Sequence, residues 1–243
     1  MPRVECDFDF WFDKDDMKSA VLQVFPDVHR DARGCFLESW KLVEGVDKDI
    51  EDKTSWIFKE SWIRQINTSY SCGRVIRGLH AQRGEYCQAK LVSSLSGFIY
   101  DVIVDARPDS TTFKKAKLYC LSPKLQNKLF VPRGFLHAFC TGNGDLGKEY
   151  IFQYMCDNVY DKASEVTVRP TETVTKVFSE YCDRTGLDNF LEYDEDRGMP
   201  VMADKDSSGT IPQDFFNNVL DVYTTTGNLW YKPPKDNAGK YST

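Results

Sequence analysis

The sequence predicts an all-β protein, a sandwich or barrel with short peripheral helices. Residues 61–156 fall into successive stretches of β-branched and aromatic residues. Gly and Pro punctuate them at turn spacing. No helical stretch long enough for a βαβ crossover lies among them, which leaves a sandwich or a barrel.

Gly97-Phe98-Ile99-Tyr100-Asp101-Val102-Ile103-Val104-Asp105 alternates two faces, and Arg107-Pro108-Asp109-Ser110 supplies the turn after it. Residues 113–121 and 128–131 read as further strands. Pro132-Arg133-Gly134 is a second turn, and residues 135–140 and 149–156 continue the series. The flanks differ. Residues 43–52 are charged and read as a loop or short helix. Residues 171–186 predict a helix, with Val174, Val177, Phe178 and Tyr181 at helical spacing. Ser207-Ser208-Gly209 reads as a linker. Pro212 opens a short helix expected to reach residue 222, its apolar face formed by Phe215, Phe216, Val219 and Leu220. Residues 224–243 are polar and read as extended or poorly ordered. The expected division is one β domain over residues 1–206 and a C-terminal extension over 207–243.

Hydrophobic content of 41% and charged content of 28% are those of a soluble globular chain. The 14% of aromatic residues suits a sheet-rich core or a stacking pocket. A net charge of −6 argues against nucleic acid as a partner, which wants a basic face, but allows a small anion held by a few arginines. No apolar run approaches the roughly 20 residues of a membrane span, so no membrane partner is expected. The first 16 residues are acidic and aromatic, unlike a signal peptide. Eight scattered cysteines without a CxxC pair then read as reduced, mostly buried thiols of a cytoplasmic protein.

Chemistry has few candidates. The chain has three histidines, His29, His80 and His137, with no HxH or HxxxH spacing, so no metal or other cofactor is expected. His80 sits in Arg77-Gly78-Leu79-His80, with Lys90 in the next strand and Asp101 and Asp105 beyond. Inner-face side chains of neighbouring strands converge. A His, a Lys, an Arg and a carboxylate in one cavity would be costly as mere filling, which favours a working site.

A series of short motifs carries a resemblance. They are Asp31-Ala-Arg-Gly-Cys-Phe-Leu-Glu-Ser39, Gln65-Ile-Asn67, Arg77-Gly-Leu-His80, Gln88-Ala-Lys-Leu-Val92 and Asp101-Val-Ile-Val-Asp-Ala-Arg107. Ser110-Thr-Thr-Phe113, Leu129-Phe-Val-Pro-Arg-Gly-Phe-Leu-His137, Tyr154, Tyr160 and Ala203-Asp-Lys-Asp206 follow in order. Together they resemble the dTDP-4-dehydrorhamnose 3,5-epimerases, nucleotide-sugar epimerases on a cupin jelly-roll barrel. The resemblance implies a substrate, a nucleotide diphosphate 4-keto sugar, whose C3 and C5 protons are acidic beside the carbonyl. Epimerisation removes one through an enolate and returns a proton to the other face. His80 would be the base, Asp206 its orienting carboxylate, Lys90 the enolate stabiliser and Tyr154 the acid across the ring. Arg33 and Arg77 would hold phosphates. Glu38, Gln65 and Asn67 would bond sugar or base, Tyr160 would stack on the nucleobase, and Glu165, Lys205 and His137 would make further ligand contacts. The resemblance also implies a homodimer in which strands of each chain extend the partner's sheet.

Ala81 replaces the family's usual aromatic after the catalytic histidine, and Ala138 its usual glycine after His137. The nucleotide (dTDP, CDP, GDP or UDP) and the number of inverted carbons stay open. Alternatives are a 3,4-ketoisomerase, a non-catalytic sugar-binding cupin and a metal-dependent cupin oxygenase. The ketoisomerases tend to use a paired-histidine site, which the single His80 does not offer. Pure binding needs no base and acid together, and the oxygenase wants more histidines.

Overall fold

The computed structural model describes residues 3–11, 20–40, 63–141, 149–186 and 200–218. Two large antiparallel sheets face each other. The first runs β1 (Arg3–Trp11), β2 (Ala20–Phe25), β10 (Lys128–Val131), β7 (Lys90–Ser96), β12 (Glu149–Cys156) and β5 (Gln65–Cys72). The second runs β13 (Glu165–Thr167), β6 (Ile76–Gln82), β11 (Phe135–Thr141), β8 (Ile99–Asp105) and β9 (Ala116–Leu121). A separate hairpin pairs β3 (Val28–Asp31) with β4 (Gly34–Leu37). From β5 to β8, and again from β9 to β13, successive strands change sheet, the alternation of a jelly roll. No ladder joins the two large sheets among the described residues, so the expected barrel is an open sandwich.

Val92, Ile103, Leu129, Phe135, Phe139 and Phe152 fill the space between the sheets. The outer face of the five-stranded sheet is also covered. Helix α1 (Thr171–Thr185) lays Val174 and Phe178 on Tyr100, Val102 and Val104, and Phe215 and Phe216 complete that layer. All seven residues of β8 and of β11 are therefore buried, which is why both read as nearly continuous apolar runs. The α1 helix matches its expected span and ends at Gly186, whose φ of 70° lets it cap the last turn. Residues 212–218 are helical, as Pro212 and the Phe215–Phe216 pair predict. Both phenylalanines are 7% exposed, so this part of the extension packs into the β domain's own core. Residues 43–52, the remainder of the Pro212 helix and residues 224–243 lie outside the described residues.

Two expectations change. Strands begin well before residue 61, and β1 had a legible period of two: Val4, Cys6, Phe8 and Phe10 alternate with Glu5, Asp7 and Asp9. The strand expected from residue 113 begins at Ala116, because residues 110–115 form a turn around a buried carboxylate. Asp105 is fully buried there and accepts hydrogen bonds from Arg107 Nε at 2.9 Å, Arg107 Nη2 at 2.8 Å and the hydroxyls of Ser110 and Thr112 at 2.6 and 2.5 Å. Asp105 therefore anchors a turn and is not a companion of His80. Among the described residues no helix is long and apolar enough to cross a membrane.

Candidate active site

A cavity of about 630 Å³ opens between the sheets at the β5 end. His80 and Arg77 on β6, His137 on β11 and Glu165 on β13 form one wall. Lys90 on β7, Tyr154 on β12, and Gln65 and Asn67 on β5 form the other. Lys205 and Asp206 come from α2 (Asp204–Ser207), and Tyr160 stands at the rim, 48% exposed. The inner face of β5 repeats every second residue through Gln65, Asn67, Ser69 and Ser71, so strand periodicity alone makes it a polar lining.

Asp206 is 126 residues from His80 in sequence, and the backbone brings it back. Val201 N–H donates to the Arg74 carbonyl at 2.8 Å, and Ile76 N–H donates to the Val201 carbonyl at 3.0 Å. Downstream, Arg169 N–H donates to the Thr210 carbonyl at 2.9 Å, and Thr210 N–H to that of Thr167 at 3.1 Å. The short α2 turn is thus clamped on both sides against β6 and β13. Asp206 Oδ1 lies 2.6 Å from His80 Nε2, and Oδ2 accepts the Gly78 N–H at 3.2 Å. Gly78 is required where it stands. Its φ is +108°, and a Cβ there would overlap the His137 carbonyl and the Ala138 Cα.

Burial pushes the Asp206 carboxyl up. The bond to His80, the His80 charge, the Gly78 N–H and Lys205 together outweigh it and hold the group below the usual carboxylate range. Asp206 is therefore an anion at neutral pH, and it engages the His80 ring at Nε2. Across the cavity, burial pushes the Tyr154 phenol up, and Cys156 and Glu165 add to that against the opposing effect of Arg77, so it remains a protonated donor. Lys90 Nζ lies 5.9 Å from the centre of the Tyr154 ring.

The rim is cross-linked. Glu165 accepts from Lys205 Nζ at 2.7 Å and from the Tyr160 hydroxyl at 3.1 Å. Gln65 Oε1 accepts the Tyr160 N–H at 2.7 Å, and Gln65 Nε2 donates to Asn67 Oδ1 at 2.8 Å. Burial pushes the Glu165 carboxyl up, but Lys205 and the His80 charge hold it low. Arg77 reaches across to β5, donating to the Ser71 hydroxyl and the Tyr70 carbonyl at 3.2 Å each.

Of the residues expected to form the site, two are not brought into the cavity. Arg33 stands on the β3–β4 hairpin, 90% exposed at its side chain and paired with Asp31, and Glu38 follows just beyond β4. Two sequence-based expectations about His80 also change. Asp101, expected beside it, stands against His137 instead, with His137 Nε2 at 2.6 Å from Asp101 Oδ1. Nor is His80 a lone histidine, because the register of β6 on β11 makes His137 its direct cross-strand partner. Two residues 57 apart in sequence reveal that pairing only once the sheet forms. Among the described residues no group of three or more His, Cys, Asp or Glu side chains is placed to hold a metal ion.

The open jelly-roll sandwich, with ionisable side chains on both walls of one cavity, is the architecture of cupin-type enzymes. The family model described as dTDP-4-dehydrorhamnose 3,5-epimerase matches residues 18–210, and the chain belongs to that family, whose members are isomerases. It is 37% identical over 148 residues to the dTDP-4-dehydrorhamnose 3,5-epimerase of Shigella flexneri, covering 60% of this chain and 74% of that protein. The crystal structure of the Elizabethkingia anophelis enzyme of the same name superposes with a TM-score of 0.59 at 32% identity, covering 80% of this chain and 92% of that one. The Legionella pneumophila dTDP-6-deoxy-D-glucose-3,5-epimerase, solved with dTDP-4-keto-L-rhamnose, gives 0.59 at 25% identity over 86% and 93%.

A carboxyl whose folded pKa is depressed stabilises the fold above the unfolded value, about 3.9 for Asp, and that contribution is lost as pH falls through the lower folded value. Wild-type stability should therefore fall more steeply below about pH 4 than that of Asp206→Asn. Urea denaturation at stepped pH measures the two slopes, and equal slopes contradict the assignment.

Proposed function

We propose that the chain, an epimerase by family, acts on a dTDP-linked 4-keto-6-deoxyhexose and inverts a carbon next to the ketone by proton transfer across the sugar ring. The observation that carries this is the opposition of two groups. An imidazole backed by a buried carboxylate stands on one sheet, and a protonated phenol stands on the other. His80 Nδ1 takes the α-proton and the C–H electron pair enters the enolate. The Lys90 ammonium stabilises the oxygen where that charge collects. Tyr154 returns a proton from the opposite face, which is what converts exchange into inversion. Asp206 holds the ring and offsets the imidazolium. The names of the matching relatives favour dTDP as the carrier.

Arg77 and Lys205 supply positive charge for the diphosphate, Gln65, Asn67 and His137 supply hydrogen bonds, and Tyr160, fixed by Glu165, presents a ring for the base to stack on. Arg33 and Glu38 complete the set only from a neighbouring molecule. The β3–β4 hairpin that carries Arg33 projects its side chain into solvent, and β5 ends its sheet as an edge strand beside the cavity. The protein is accordingly a homodimer in which each hairpin serves the other chain's cavity. A cytoplasmic setting suits the buried thiols of Cys87, Cys140 and Cys156.

Incubated in heavy water with dTDP-4-keto-6-deoxyglucose, the wild type should incorporate deuterium beside the ketone by proton NMR. Tyr154→Phe should retain exchange while formation of inverted product falls by about 10²–10⁴. No exchange with any nucleotide 4-keto sugar would sink the epimerase reading, and a ketone moved to C3 would establish the ketoisomerase instead. Separately, Arg33→Ala should raise KM by roughly 10- to 150-fold with kcat little changed, because a charged phosphate contact contributes about 1.5–3 kcal/mol. Sedimentation should give a dimer, and a monomer with an unchanged KM in the variant would contradict the shared site.

A further inference from the structure

An ion pair between Arg133 and Asp157 stands outside the cavity lining, where three strand ends of the six-stranded sheet meet. β7 lies between β10 and β12, and both neighbours run antiparallel to it. Lys90 opens β7, opposite Val131 at the end of β10 and Cys156 at the end of β12. Arg133 follows β10 by two residues and Asp157 follows β12 by one, so the pair joins the flanking strands across the entry of β7. Arg133 Nε donates to Asp157 Oδ2 at 2.8 Å, and Nη2 stands 2.8 Å from the same oxygen. Asp157 Oδ1 accepts the Ala89 N–H at 2.8 Å, and the Asp157 N–H donates to the Ala89 carbonyl at 3.2 Å. Ala89, the residue before Lys90, is thus held at both its backbone groups by one aspartate. The Cys87 thiol, pushed up to about 11 by burial, feels the charges of Arg133, Asp157 and Lys90, so all three groups converge on this corner of the sheet.

Stability does not account for the pair. The Arg133 and Asp157 side chains are 5% and 16% exposed, and a buried ion pair contributes little net stability over apolar side chains of the same volume. Burial pushes the Asp157 carboxyl up, and Arg133 and the Ala89 N–H offset only part of that. The pair stands instead where it can fix the start of β7. The Lys90 ammonium ends a flexible four-carbon stem on the first residue of its strand, so its position depends on how firmly that residue is held. We infer that Asp157 and Arg133 are positioning residues, which pin the start of β7 and so hold the Lys90 ammonium where the enolate oxygen forms. The inference rests on the epimerase reading. Neither residue lines the cavity, so both act through the backbone that carries Lys90. Tyr160, three residues beyond Asp157, is held separately by Gln65 and Glu165, so the effect falls on the chemical step and spares nucleotide binding.

Deuterium exchange beside the ketone of dTDP-4-keto-6-deoxyglucose, followed by proton NMR over a range of sugar concentrations, tests this. Asp157→Asn, which keeps the shape and removes the charge, should lower kcat about 10²-fold, as a displacement of about 1 Å does, with KM changed by less than about threefold. Lys90→Ala should itself retain roughly 10⁻²–10⁻³ of the wild-type rate. Adding Asp157→Asn to Lys90→Ala should cost less than about twofold more, because the aspartate acts only through Lys90. Arg133→Lys, which keeps the charge without the fork, should lower kcat less at the same unchanged KM, and it provides both readouts where Asp157→Asn does not fold. An unchanged kcat, a rise in KM in place of the fall in kcat, or an equally large further loss in the Lys90→Ala background would overturn the inference and leave the pair a structural staple. No exchange by the wild type instead defeats the proposed function itself.

Discussion

The architecture of the site turns on one buried anion. Asp206 is 2% exposed, and both its oxygens are committed, one to the His80 ring and the other to the Gly78 N–H. Burying a carboxylate is unfavourable, and it is tolerated where charge and hydrogen bonds meet it. Most of what surrounds Asp206 serves that requirement. Two backbone clamps fix the α2 turn, and Gly78 brings β6 against the β11 backbone too closely for any side chain. Lys205, the residue before Asp206, ties the same turn through Glu165 to the rim tyrosine, so the rim and the His80–Asp206 pair share one segment.

The two walls of the cavity differ because the two sheets supply different side chains. The five-stranded sheet offers imidazoles, each with an aspartate behind it. The six-stranded sheet offers a phenol kept protonated by burial and an ammonium beside it. An imidazole backed by an aspartate thus stands across the cavity from a phenol. That geometry depends on the sandwich, since a single sheet cannot present groups to both faces of one ring. The helical layer behind β8 and β11 stiffens the wall that carries the histidines.

The sequence made the strands around the site legible because their periodicity is local. β10 and β12 fall on their expected residues, and β5, β6 and β7 carry the motifs that name most of the cavity lining. The partners of the aspartates were less legible. Asp101 and Asp105 lie on one strand face, yet one meets a histidine 36 residues on and the other an arginine two residues on. Only the three-dimensional pairing of β8 with β11, and the turn after β8, separate them. The β1 strand shows the opposite lesson, since its alternation was present but its acidic composition masked it. Arg33 and Glu38 mark where one chain's sequence names residues that one chain's fold does not assemble.

The central claim is that His80 and Asp206 act as one unit. A double-mutant cycle on deuterium exchange beside the ketone of the 4-keto sugar measures it directly, using His80→Asn, Asp206→Asn and the double variant. The rate in the double variant should be no lower than in His80→Asn alone, because the carboxylate acts only through the ring. Fully additive losses would contradict the account and leave Asp206 a separate structural anchor.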